Sequence, residues 1–174
     1  MTTTNILSVE KQGRHRYFKF ANEEVAQVVE SMASLIPLQK EYKKIKKPTL
    51  TNFTYARTCY DHLAGNVGVR ITNSLLENGI LEISNKDYRV TAYGKKWFLL
   101  MGLDIDSIKL KKRSFAHQCL DWSERKHHIA GALGAALLEK MLEKDWIRNK
   151  RNSRVLSITS KGKIALKKRL NLEI

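Results

Sequence analysis

His62-Leu63-Ala64-Gly65-Asn66-Val67-Gly68 recurs 66 residues later as His128-Ile129-Ala130-Gly131-Ala132-Leu133-Gly134. The echo runs outward in both directions. Cys59-Tyr60-Asp61 returns as Cys119-Leu120-Asp121 at an offset of 60, and Leu76-Glu77 returns as Leu142-Glu143. Val90-Thr91-x-x-Gly94-Lys95 returns as Ile158-Thr159-x-x-Gly162-Lys163 at an offset of 68. Repetition of this kind marks one supersecondary unit that was copied, each copy burying its apolar face against the other.

Each copy reads in the same order. A helix is expected over 59–78 in the first copy and about 126–144 in the second, followed by a turn and a strand (88–90; 155–158). The strand ends in a threonine, Thr91 or Thr159, placed to cap the next helix. Helix, helix, strand-turn-strand and helix make the grammar of a winged helix. The Ala-Gly-x-x-Gly stretches put small residues on one helix face, where a neighbouring backbone can approach. They lack the lysine-serine and strand-turn context of a phosphate cradle.

Upstream, residues 7–20 read as a β-hairpin. Leu7 and Val9 alternate in one arm and Phe18 and Phe20 in the other, with Gly13 at the tip. The tip carries Lys11, Arg14, His15 and Arg16, a basic loop suited to a phosphate backbone. Asn22 offers an N-cap to a helix whose apolar stripe is Val25, Val28, Val29, Met32, Leu35 and Ile36. A stripe of that width needs a partner surface. Pro37 closes the segment, and five lysines between it and Pro48 form a basic linker.

The 174 residues are enough for a proper core, and 43% apolar content suits a folded chain. No apolar run approaches the roughly 18 residues of a membrane span, so a cytoplasmic protein with no membrane partner is expected. The two cysteines, 60 residues apart, make no disulfide framework. The 32 Lys and Arg against 17 Asp and Glu leave a charge of +15. Such an excess favours polyanions, because neutralised phosphates release condensed counterions.

Leu7-Ser8-Val9-Glu10-Lys11-Gln12-Gly13-Arg14-His15-Arg16-Tyr17-Phe18, followed by the helix over 23–35, resembles the wing and following helix of ArsR-type bacterial repressors. Ala56-Arg57-Thr58-Cys59-Tyr60-Asp61-His62-Leu63-Ala64-Gly65 and Cys119-Leu120-Asp121-Trp122-Ser123-Glu124-Arg125 resemble a subgroup with a long C-terminal extension. The resemblance implies a homodimeric, sequence-specific DNA-binding transcription regulator in which Arg14, His15 and Arg16 touch phosphates. Only residues 1–5 precede the hairpin, so most of the helix-turn-helix is expected to be missing from this chain.

The chemistry-bearing constellation is Cys59, Asp61 and His62 beside Cys119, Asp121, His127 and His128. Cys59 and His62, three apart, would share a helix face. If a pseudo-two-fold relates the copies, Cys119 with either His127 or His128 converges on them as a thiolate and imidazole set for zinc or a similar ion. The alternatives are a redox thiol and buried structural roles. Asp121-Trp122-Ser123-Glu124-Arg125 reads as a helix start with Ser123 as N-cap. No nucleophile-base-orienter set is assembled, so no enzyme is expected. Trp97-Phe98-Leu99-Leu100-Met101 and Trp146-Ile147 read as the core joining the copies, with an apolar effector pocket as the rival.

The fold class expected is therefore mainly α with small β-hairpins and a winged-helix-like, internally duplicated C-terminal region. Its parts are a wing hairpin and dimerisation-type helix (1–37), a basic linker (38–52) and two repeats (53–108 and 109–174). The function expected is a DNA-binding regulator that this chain serves mainly through effector sensing and dimerisation, the effector being a small molecule or a metal. A protein-interaction module without DNA binding and a metal or thiol sensor at Cys59 and Cys119 are the rivals.

Overall fold

The computed structural model describes residues 5–12, 15–22, 24, 25, 28, 29, 32, 52–121, 123–151 and 153–174. The chain divides into two units, Met1–Lys43 and Lys44–Ile174.

In the first unit β1 (Leu7–Gln12) pairs antiparallel with β2 (His15–Phe20), in register from Leu7 against Phe20 to Gln12 against His15. Gly13 and Arg14 lie outside the described residues, as do the side chains of Lys11, His15 and Arg16 and the lysine-rich segment 40–48. Asn22 acts as an N-cap, its Oδ1 accepting from Val25 N at 2.9 Å. Glu24, Val25, Val28, Val29 and Met32 are helical. Phe18, Phe20, Val28, Val29 and Met32 are exposed.

The first described element of the second unit is a short helix, α1 (Asn52–Tyr55). Two stretches of the same element order follow. The first is β3 (Arg57–Cys59), β4 (His62–Ala64), α2 (Gly65–Glu77), β5 (Leu81–Ser84), β6 (Asp87–Val90) and α3 (Ala92–Met101), closed by α4 (Ile105–Lys109). The second is β7 (Gln118–Leu120), β8 (His127–Ile129), α5 (Gly131–Glu143), β9 (Ile147–Asn149), β10 (Leu156–Ile158) and α6 (Ser160–Leu170). Each consecutive pair of strands closes as an antiparallel hairpin.

One expectation needs correction here. The helices do not begin at 59 or 126; each starts at a glycine, Gly65 or Gly131, after a hairpin. Gly65 and Gly131 take φ +82° and +76°, and Tyr60 takes φ +52° in the hairpin turn. Such left-handed residues cannot continue an α-helix. The hairpins also account for the changing offset. Two residues separate Cys59 from His62, whereas the loop after Leu120 makes the second hairpin longer. Ser123 caps no helix; it sits in that loop and binds Asp121.

The threonine-glycine signature does cap its helices. Thr91 Oγ1 accepts from Gly94 N at 2.8 Å and Thr159 Oγ1 accepts from Gly162 N at 3.0 Å. The same hydroxyls donate back across the hairpin, to Gly79 O and Asp145 O, each at 2.7 Å. A Cβ on Gly94 would stand 2.0 Å from Ile80 O, and one on Gly162 2.1 Å from Trp146 O. Only glycine lets the helix start that close to the strand.

The two stretches exchange edges. Thr58 N donates to Arg154 O and Leu156 N to Ala56 O, so β3 lies along the second stretch's later hairpin. Reciprocally, Tyr88 N donates to Ala116 O and Gln118 N to Lys86 O. Helix packing is exchanged as well: α2 sits on β8, where Ile129 N donates to Thr72 Oγ1 at 3.0 Å, and α5 sits on β4. One apolar core results, running from Val67, Ile71 and Leu75 through Phe98 and Met101 to Leu133, Met141, Trp146 and Leu166. Leu99 and Leu100 face outward instead. Among the described residues no helix is long and apolar enough to cross a membrane.

Candidate metal centre

The edge exchange brings the first hairpin of each stretch against the other. In β3–β4 Cys59 is the direct cross-strand partner of His62; in β7–β8 Cys119 is the partner of His128. Cross-strand partners project from the same face of a hairpin at about 5 Å. That register, not a shared helix face, makes each Cys–His pair. The two faces meet, and one donor atom from each of Cys59, His62, Cys119 and His128 lies within 4.8 Å of all the others. His62, Cys119 and His128 are buried, Cys59 half-buried. His127, the other histidine of the constellation, is exposed and takes no part.

The histidines face one another through Nε2, 3.1 Å apart. Their Nδ1 atoms point the other way, towards carboxylates. His62 Nδ1 is 3.5 Å from Asp61 Oδ1, and His128 Nδ1 is 3.5 Å from Asp121 Oδ2. Each carboxylate is in turn held by an arginine from the opposite stretch. Asp61 binds Arg113, and Asp121 binds Arg57, whose Nη2 is 3.0 and 2.9 Å from its two oxygens. Asp121 also accepts from Gly65 N at 2.7 Å and from the backbone of Ser123 and Glu124.

Electrostatics follow this wiring. Hydrogen bonding from Cys119 holds the Cys59 thiol far below its usual range, against burial and with help from His128 and His62. Burial opposes charge on His62, but Asp61 and Cys59 together outweigh it and raise the imidazole to about 9. Burial dominates at His128 and lowers it. Asp121 is held at about 2, burial being outweighed by its Ser123, Gly65 and Arg57 contacts. The pocket thus favours thiolate at Cys59 and a neutral ring at His128, forms that donate an electron pair, and a protonated ring at His62, whose proton a cation would have to displace.

Sequence reasoning named the four donors and both aspartates but missed Arg57 and Arg113. They precede their cysteines by different spacings, so the repeat does not flag them. The aromatic effector pocket is not what the described residues form: Trp97, Phe98 and Trp146 are packed into the core. A cleft of about 420 Å³ lies instead between the end of α2 and the C-terminal Leu170–Leu172 stretch, lined by Arg70, Asn73, Ser74, Glu77 and Asn78.

The chain is 45% identical over 169 residues to a protein of Bacillus subtilis (strain 168), the uncharacterized HTH-type transcriptional regulator YdfF. The match takes in 97% of this chain and 75% of that protein. No family model matches the chain, and no solved structure matches it.

Proposed function

This chain belongs to the family of HTH-type transcriptional regulators, and from that premise we propose an ArsR-like DNA-binding regulator whose Lys44–Ile174 unit receives the signal. The observation that carries the sensory half is the meeting of two hairpins. Four soft donors, two from each stretch, converge where the stretches exchange edges. A ligand held there would bias how the stretches pack, which is what an effector must do to shift an equilibrium between two arrangements. The reciprocal hydrogen bonds support reading 53–108 and 109–174 as winged-helix-like copies of one unit.

The other half of the proposal is electrostatic. Lys11, Arg14, His15 and Arg16 supply phosphate contacts, backed by a charge of +15. Exposed Val28, Val29 and Met32 suit the surface of a cytoplasmic homodimer. The role is one of binding and not of catalysis.

Fluorescence anisotropy of a labelled duplex, titrated with the full chain at several salt concentrations, tests this. Each phosphate contact adds about 0.9 to the slope of log K against log salt. The variant with Lys11, Arg14 and Arg16 all changed to Ala should therefore flatten that slope by roughly 3. Absence of binding at low salt would overturn the DNA reading and leave the interaction module in its place.

A further inference from the structure

We infer that Cys59, His62, Cys119 and His128 form a closed four-coordinate site for a borderline-soft divalent cation of the zinc class. Two thiolates and two imidazoles are a donor set that zinc takes in tetrahedral geometry. They offer nothing to calcium or magnesium, which demand oxygen. Zinc–nitrogen bonds of about 2.0–2.1 Å place two imidazole nitrogens of a tetrahedron roughly 3.3 Å apart. The Nε2 atoms of His62 and His128 already stand at 3.1 Å. The remaining donor pairs, none beyond 4.8 Å, close to a tetrahedron by shifts of about 1 Å, using zinc–sulfur bonds of about 2.3 Å.

The outer layer separates this cluster from a chance gathering of side chains. A histidine that ligates through Nε2 keeps its proton on Nδ1 and donates it to a carboxylate or carbonyl, which fixes tautomer and ring. Both histidines have a carboxylate at that position, 3.5 Å away, and both carboxylates are anchored by arginines of the opposite stretch. His128 Nδ1 makes no hydrogen bond within the usual limits although it is buried. The movement that draws Nε2 onto an ion can bring Nδ1–H onto Asp121. Charge balances too: two thiolates neutralise a divalent ion, so a buried centre carries no net charge.

Four protein donors leave no coordination position for substrate, so the ion is not catalytic. Because each stretch gives one cysteine and one histidine, the ion ties the two hairpins together. The ion's part as a signal rests on the regulator reading above; its binding does not.

The test needs no DNA. The full chain is purified under reducing conditions without chelator, its metal content is measured by mass spectrometry, and the stripped chain is titrated with cobalt(II) and then zinc(II). One equivalent of zinc, or intense tetrahedral cobalt bands with thiolate charge transfer that zinc abolishes, is the expected result. Cys59→Ser and Cys119→Ser should each weaken the charge-transfer band and cut affinity at least tenfold. His127→Ala, next to a donor but outside the set, should change neither. Circular dichroism confirms that each variant is folded. A folded chain that gives only weak octahedral cobalt spectra overturns the assignment. So does binding unchanged in both serine variants, or recovery of Cys59 and Cys119 as a disulfide that takes up no metal after reduction. Loss of DNA binding with cobalt binding intact would fail the regulator reading alone.

Discussion

Arg57 and Asp121, 64 positions apart, form a buried ion pair: Nη2 of the guanidinium lies 3.0 Å from Oδ1 and 2.9 Å from Oδ2, with both residues only 1% exposed. Asp121 also takes Gly65 N, at the start of α2, so the pair fixes where the two stretches join. Removing one partner strands a buried charge. Arg57→Ala or Asp121→Asn should each cost about 3–5 kcal/mol in urea denaturation. A loss below about 1 kcal/mol, the value of an exposed pair, would show that the site is solvated.

The role of that pair marks where sequence reading stopped. Repetition gave the later part of each stretch, a helix followed by a strand and a capped helix, and the threonine-glycine spacing gave the helix caps, because both depend on near neighbours. The hairpins β3–β4 and β7–β8 were hidden, since three-residue strands give no alternation long enough to separate from a helical stripe. Tyr60 and Arg125, which turn with positive φ, carry no glycine or asparagine to announce it. The four donors were legible by type and by repetition, but their geometry was not. Arg57 reaching Asp121 is a long-range fact that no local spacing encodes.

Gly134 is where α5 presses on the first hairpin. A Cβ there would meet Ile129 O at 2.7 Å and His62 Cβ at 3.2 Å. Backbone does not yield cheaply, so Gly134→Ala should destabilise by about 1–3 kcal/mol and displace His62. Thermal denaturation and cobalt titration of the same variant check both effects. An unchanged melting curve together with unchanged cobalt affinity would contradict the packing described.

If Thr91 and Thr159 do the same work in the two stretches, their removal should cost the same. Thr91→Val and Thr159→Val each delete a cap and a bond back across the hairpin, at about 1 kcal/mol apiece. The double variant should lose close to the sum in urea melts. Gly94→Ala and Gly162→Ala, which force backbone apart, should each cost more than the threonine beside them. A strongly unequal pair of threonine effects would argue that the stretches are not mechanically equivalent.

Asp61 allows the outer layer of the centre to be tested with little risk to the fold. Its partner Arg113 and its own side chain are partly solvent-accessible, so Asp61→Asn should change stability by less than about 1 kcal/mol. The carboxylate behind His62 would nevertheless be gone. Competition against a chromophoric chelator should show zinc affinity falling by roughly 10–100-fold. Equal affinity in the two proteins would mean that Asp61 does not support the imidazole.

Coupling between the centre and DNA has a thermodynamic signature that no merely stabilising ion shares. If zinc changes duplex affinity by some factor, duplex must change zinc affinity by the same factor. Expected factors for such coupling are about 5–150, measured at one fixed salt concentration because phosphate contacts make every affinity salt-dependent. Anisotropy titrations of duplex with zinc-loaded and stripped chain give one side of the cycle. Chelator competition with and without saturating duplex gives the other. Cys59→Ser should abolish both shifts while leaving the affinity of the stripped chain in place. Superimposable duplex isotherms with and without zinc would make the ion a clamp between hairpins and would place the signal elsewhere.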